Sequence, residues 1–183
     1  MNSSTSPGPS TIDGSSAEST REVLGAEEHC VFECSGHVFA IALSAVCEVV
    51  SGKLATSIPQ APPVLIGVVE LHGDALPIVQ LATLLGTPAR PYTPASQIVV
   101  LCSEDTRIGA VVDRVHPLRV IDYTSLTPTE HHLYRGWWRE ATTRIAVLNP
   151  AALVVQALET VAYHLQHACG GITLRTRRTN RPS

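Results

Sequence analysis

Apolar positions in this 183-residue chain come in short runs of four to seven, broken by Gly, Pro and Ser, and a helical period emerges only near the C-terminus. In HCVFECSGHVFAIAL, Val31 and Phe32 precede a Ser35-Gly36 turn signal and an apolar run resumes at Val38, which predicts a β-hairpin. SAVCEVV reads as the next strand, with Val46 and Glu48 on one parity and Cys47 and Val49 on the other. After a Pro-bearing connector, IPQAPPV, the stretch GVVELHGDALPIVQL gives two arms about Gly73, a residue free to take positive φ. Pro77 has no N–H for a ladder, so the second arm is expected to lie at an edge or carry a bulge.

LATLLG predicts one or two helical turns stopped by Gly86, and TPARPYTP is loop. The second half repeats the theme, with SQIVVLC (96–102) and RIGAVVDRV (107–115) forming a hairpin about SEDT. VIDYTSLTPTEHHLYRGWW is read as polar linker or loop, and TTRIAVLN as a last strand. Asn149-Pro150 then supplies a cap and a first-turn proline for a helix over AALVVQALETVAYHLQH, ended by Gly170-Gly171. Many short strands with one terminal helix imply an all-β barrel or sandwich.

Composition sharpens the boundaries. A hydrophobic fraction of 44% with 16% charged residues describes a globular protein and excludes disorder throughout. Residues 1–28, rich in Ser, Thr, Pro and Gly, are expected to be a disordered arm, 29–168 the ordered domain, and 169–183 a flexible basic tail holding Arg175, Arg177, Arg178 and Arg181. A formal charge of −3 gives no basic field for nucleic acid. MNSSTSPGPS has neither the basic start nor the apolar core of a secretory leader, and no apolar run reaches the ~20 residues that span a bilayer, so a cytoplasmic protein without membrane insertion is expected. Five cysteines without a disulfide-framework spacing fit a reducing compartment.

Four groups of residues have types suited to catalysis or metal. His29, Cys30, Cys34 and His37 resemble a ligand set, but in a hairpin Cys30 and Cys34 share a face at about 13 Å, too far for one zinc, which makes them core cysteines flanked by hairpin-edge histidines. His131-His132 are adjacent in a polar segment, and His164, His167 and Cys169 lie near a helix C-terminus, where the dipole favours histidine. His72 and Asp74 flank a turn glycine and project apart, so they lack the convergence a general base and its orienting acid require. No nucleophile elbow, phosphate-cradling loop or zinc-protease motif occurs, and no enzyme activity, metal or cofactor is assigned.

The run IPQAPPVLIGVVELHGDALPIVQLATLLG resembles the central signature of the CheW-like family of chemotaxis coupling proteins. FECSGHVFAIALSAVCEVV is similar to that family's opening hairpin and next strand, through Phe32, Gly36, Phe39, Val46, Glu48 and Val49. QIVVLCSEDTRIGAVVDRV, with Gly109, Val112, Asp113 and Val115, is similar to its second-half hairpin, and RIAVLNPAALV to its last strand and helix. The resemblance runs from about Cys30 to about His167. It implies a mainly β fold of two small five-stranded SH3-like barrels sharing a hydrophobic core, with a C-terminal α-helix.

The function so implied is a non-enzymatic adaptor in a bacterial two-component chemosensory pathway. Its partners would be the CheW-like regulatory domain of a histidine kinase and the cytoplasmic tip of chemoreceptors, with recruitment to receptor arrays. Val46, Gly67, His72 and Gly73 match positions near the family's receptor-facing groove, whereas no residue is assigned to the kinase contact. The family's Asn-Leu-Arg-Gly is Glu70-Leu71-His72-Gly73 here, so a permanently charged, forked guanidinium is replaced by an imidazole. Gln80 stands for the usual Asp and Ala82 for a basic residue. The alternatives are a β-barrel interaction module outside chemosensing, which need not bind a kinase, and a metal-dependent hydrolase, which would carry stoichiometric metal.

Overall fold

The structure, a computed structural model, describes residues 25–103 and 106–168. The basic tail lies outside the described residues, as does the N-terminal arm except for residues 25–28. The described residues form ten strands, β1 (Ala26–Cys34), β2 (His37–Ala42), β3 (Val46–Val50), β4 (Leu65–Leu71), β5 (Asp74–Gln80), β6 (Gln97–Ser103), β7 (Thr106–Val112), β8 (Arg114–Asp122), β9 (Tyr134–Glu140) and β10 (Thr143–Leu148). Two helices, α1 (Leu81–Leu84) and α2 (Pro150–Ala168), follow β5 and β10. The strands form two five-stranded sheets, ordered β8-β1-β2-β10-β9 and β3-β6-β7-β5-β4. The second barrel is therefore one continuous segment inserted between strands of the first.

The two sheets have the same skeleton. Each contains an antiparallel hairpin (β1-β2; β6-β7) joined in parallel to the second strand of another hairpin (β9-β10; β4-β5), and each places a helix after that strand. Their central strands are buried on both faces. From β1, β2 and β10, Phe32, Phe39, Ile41, Ala146 and Leu148 enter a core shared with Val99, Leu101, Ile108, Ala110 and Val112 of the second barrel. The alternate residues fill separate interiors, with Val31, Ala40, Ile145 and Val147 in the first barrel and Leu76, Ile78, Ile98 and Val100 in the second. Burial on both faces explains why IVVL and IAVL are unbroken apolar runs instead of alternating ones. Leu153, Val154 and Ala157 of α2 close the shared core, and Asn149 caps that helix by accepting the Ala152 amide through Oδ1 (3.4 Å).

The chain departs from the sequence expectation at several places. RIGAVVDRV is not one strand: the chain changes barrels at Asp113, whose amide donates to the Glu33 carbonyl (2.8 Å) and whose carboxylate accepts the Ser35 amide (2.7 Å). The expected linker from Val120 to Trp138 contains the end of β8 and most of β9. Both lie at sheet edges, where a half-exposed strand needs few apolar residues; in β8 only Ile121 is buried. Pro77 belongs to an interior strand, yet its missing donor costs nothing because the parallel ladder to β7 starts one residue later, at Ile78, while the irregularity falls on β4 between Leu65 and Gly67. Finally, Cys47 and Cys102, 55 residues apart, form a disulfide between β3 and β6 with a Cα–Cα distance of 6.0 Å. Such a pair follows from strand pairing and has no signature in local spacing.

Candidate functional site

The two central turn residues of the β4-β5 hairpin, His72 (φ 54°) and Gly73 (φ 88°), both lie in the left-handed region, as a tight two-residue hairpin turn requires. Histidine tolerates that region poorly compared with glycine. Here Glu70 steadies the turn, its Oε1 accepting the Gly73 amide at 2.7 Å. The His72 ring then reaches across the barrel mouth to β3, where its Nε2 lies 3.0 and 3.1 Å from the two Glu48 carboxylate oxygens. On the other side of the turn Asp74 pairs with Arg107, the second residue of β7.

Strand alternation places these groups together. Glu48 shares its face of β3 with Val50, and Arg107 its face of β7 with Val111, while Asp74 has the parity of Leu76 and Ile78; Val50, Val111, Leu76 and Ile78 all pack in the second barrel's interior. Glu48, His72, Asp74 and Arg107 therefore form a charged ring around one mouth of that barrel. Its members are exposed or half-exposed, with His72 at 68% and Glu48 at 30%, so the ring faces solvent. A β-bulge at Cys47 between Val46 and Glu48 sets the direction of the Glu48 side chain.

Of the expected receptor-facing residues, Val46 and the His72-Gly73 turn lie at this end of the barrel. Val46 opens β3 opposite Leu101 and is half-buried against the shared core. Gly67 is five residues back along β4, about 16 Å at a strand's rise. Its backbone (φ 155°) lets Thr56 approach and bridge Val68, and a Cβ there would run into the Thr56 carbonyl oxygen. Sequence reasoning did not find Glu48 or Arg107 as partners of the turn, because each contact joins residues 24 or 33 apart. Gln80 is buried and donates through Nε2 to the Arg90 carbonyl (2.8 Å), and Ala82 is buried, so neither lies on this surface.

The other candidate groups resolve differently. Cys30 and Cys34 are buried in the shared core, as expected from their common parity; burial raises both thiols, Cys34 to about 11. His29 is no hairpin-edge residue: it is fully buried, with Nδ1 2.8 Å from the Glu27 carbonyl and Nε2 3.1 Å from the Tyr123 hydroxyl. That hydroxyl donates to Glu27 Oε2 (2.6 Å), and Ser44 donates to Oε1 (2.7 Å). Burial lowers His29, and burial with the bond to Glu27 pushes Tyr123 up to about 12. For Glu27 burial acts upward, but the Tyr123 and Ser44 hydroxyls outweigh it and the carboxyl is held low.

His131 and His132 stack on each other in an exposed loop, and the His164 ring bonds its own helix at the Thr160 carbonyl. The side chain of His167 and all of Cys169 lie outside the described residues. Among the described residues, no group of three or more His, Cys, Asp or Glu is placed to hold a metal ion, and no helix is long and apolar enough to cross a membrane. The first barrel carries a cleft of about 490 Å³ beside Phe39, Tyr134 and Trp137, with Arg144 stacked 3.9 Å over the Trp137 ring.

Residues 28–158 match the CheW-like domain family, a span that covers nearly all of both barrels and the first half of α2. Among curated proteins, the chain is 27% identical over 97 residues to the chemotaxis protein CheW of Bacillus subtilis, covering 53% of this chain and 62% of that protein, just under two thirds of its length. It is 30% identical over 105 residues to the chemotaxis protein CheW of Rhizobium meliloti, covering 57% of this chain and 68% of that one. Among solved structures, the scaffolding protein TtCheW from Thermoanaerobacter tengcongensis superposes with a TM-score of 0.62 at 23% identity, covering 67% of this chain and 88% of that chain. That likeness speaks to the fold, two SH3-like barrels.

Proposed function

This chain belongs to the CheW-like domain family, and from that premise we propose that it is a non-enzymatic scaffold coupling chemoreceptors to a chemotaxis-type histidine kinase. The observation that carries the proposal is the extent of the family match, which takes in both barrels and the mouth formed by Glu48, His72, Asp74 and Arg107. Names of the relatives, a chemotaxis protein and a scaffolding protein, agree with such a role. The working partners are the cytoplasmic tip of a receptor and the CheW-like regulatory domain of the kinase, met at the cytoplasmic side of receptor arrays.

We assign receptor recognition to the barrel mouth. His72 and Gly73 present the turn, Val46 borders it on β3, and Gly67 supports β4 by admitting Thr56. The Glu48 carboxylate binds the imidazole through Nε2, so what a receptor meets here is a ring edge in place of a planar guanidinium fork. The test is to measure affinity for a receptor cytoplasmic fragment and for the kinase regulatory domain with the wild type, His72→Ala and His72→Arg. The expected result is receptor binding weakened about tenfold in His72→Ala and not in His72→Arg, with kinase binding unchanged. Receptor affinity unchanged in both variants overturns the site assignment. Failure of the wild type to bind either partner overturns the coupling role.

A further inference from the structure

The Cys47–Cys102 pair is in an unusual place for a structural crosslink. Both residues sit at the solvent end of the second barrel, Cys47 exposed and Cys102 half-buried, whereas the other two described cysteines are buried in the shared core. The bond fixes the bulge of an edge strand, which is the part of a sheet with fewest other constraints. Each cysteine also touches the charged ring through its neighbours. Cys47 directly precedes Glu48, the partner of His72, and Cys102 stands opposite Arg107 in the β6-β7 register, the partner of Asp74.

We propose that Cys47 and Cys102 are a reversible thiol–disulfide site that sets the order of the His72-Gly73 turn. Oxidised, the bond pins the β3 bulge to β6, so Glu48 and Arg107 grip the turn from both sides. Reduced, the bulge is held by backbone pairing alone and the Glu48 grip on His72 loosens. The chemistry needs only a low-molecular-weight disulfide as oxidant. The exposed Cys47 thiolate attacks one of its sulfurs and expels one thiol, forming a mixed disulfide. The Cys102 thiolate then attacks the Cys47 sulfur and expels the second thiol. In total, two protein thiols are oxidised and one small disulfide is reduced to two thiols. Reduction runs the same steps backwards, with solvent access through Cys47.

The bearing of this site on receptor affinity rests on the receptor assignment proposed for the mouth, but the site can be tested without a receptor. The full-length protein is equilibrated in glutathione buffers from fully reduced to fully oxidised, acid-quenched and alkylated, and the cysteine-bearing peptides are identified by mass spectrometry. Amide exchange of residues 70–74 is followed in parallel, with Cys47→Ser and Cys102→Ser as controls. The expected result is loss of two alkylatable thiols, both in the Cys47 and Cys102 peptides, reversed by reductant. Exchange in the turn should slow on oxidation in the wild type and remain at the reduced rate in both variants. A bond that glutathione does not reduce, thiols that stay alkylatable throughout, or exchange indifferent to oxidation each overturns the proposal. None of these readouts involves a receptor, so failure of the thiol–disulfide site and failure of the receptor assignment remain distinguishable.

Discussion

The two barrels share a strand plan and differ in where they put their polar groups. The first builds its polar cluster around a buried histidine: His29, fully buried, bonds to half-buried Glu27 and Tyr123 where β1 begins and β8 ends, two strands far apart in sequence. The second carries its polar cluster at an open mouth, on a hairpin turn and the strands around it. Buried bonds of this kind favour one way of assembling distant segments, since an unpaired buried group is costly. Exposed pairs add little stability, so their arrangement is free to serve contact with another molecule. The same skeleton thus does two jobs, one barrel fastening the chain and the other presenting a surface.

The strongest challenge to this comparison is a change both barrels should feel. Ile41→Ala removes a fully buried side chain from the shared core and is expected to cost about 4 kcal/mol, read as a single cooperative denaturant transition at lower midpoint. Two separate transitions would show that the barrels are independent units. A smaller effect distinguishes the barrels from each other. Gly67 and Gly136 hold equivalent posts, each beside a threonine bridge, Thr56 to Val68 and Thr127 to Trp137. A Cβ on Gly136 would lie 2.7 Å from the Thr127 carbonyl oxygen, and one on Gly67 would lie closer still to that of Thr56. Gly67→Ala should therefore destabilise by about 2 kcal/mol and Gly136→Ala by less, both measured by chemical denaturation.

The smallest effect is a pH dependence confined to the first barrel. Burial holds His29 below its ordinary value, so the unfolded chain takes up a proton below about pH 6.5 that the fold refuses. Stability should fall as pH drops through that value, by at most about 1.4 kcal/mol per pH unit for one group. Glu27, held low in the fold, contributes stability above its unfolded value and loses it further into acid, which is the same direction. Thermal melts of His29→Gln should show a lower melting temperature at neutral pH and a flatter slope from about pH 7 to 5.5. A slope as steep as wild type would place the proton uptake elsewhere.

Strands buried on both faces were easy to read from the sequence. Ile98–Leu101 and Ile145–Leu148 announce themselves by apolar content, and the hairpins by Ser35-Gly36 and His72-Gly73. The edges were obscure for a physical reason. β8 and β9 owe their place to pairing with strands already formed, so Val120, Ile121 and Asp122 of β8 and Tyr134 to Trp138 of β9 read as loop. The mouth was half legible: its turn could be recognised, but the identity of the groups that hold it, Glu48 and Arg107, depends on barrel closure. The Cys47–Cys102 bond depends on it as well.

The insertion of one barrel within the other also orders events in time. Strands β3 to β7 follow one another without interruption, so the second barrel closes with no connection longer than residues 81–96. The β1-β2 hairpin of the first must wait for β8 to arrive, and about seventy residues of intervening chain would have to be looped at an entropic cost. That loop is shortened once the second barrel has formed, because its entry at Val46 and its exit at Val112 then pair with Leu101 and Gln97 of the same strand, β6, about 13 Å apart along it. During synthesis the middle of the chain thus becomes a template, and the half that was made first is completed last.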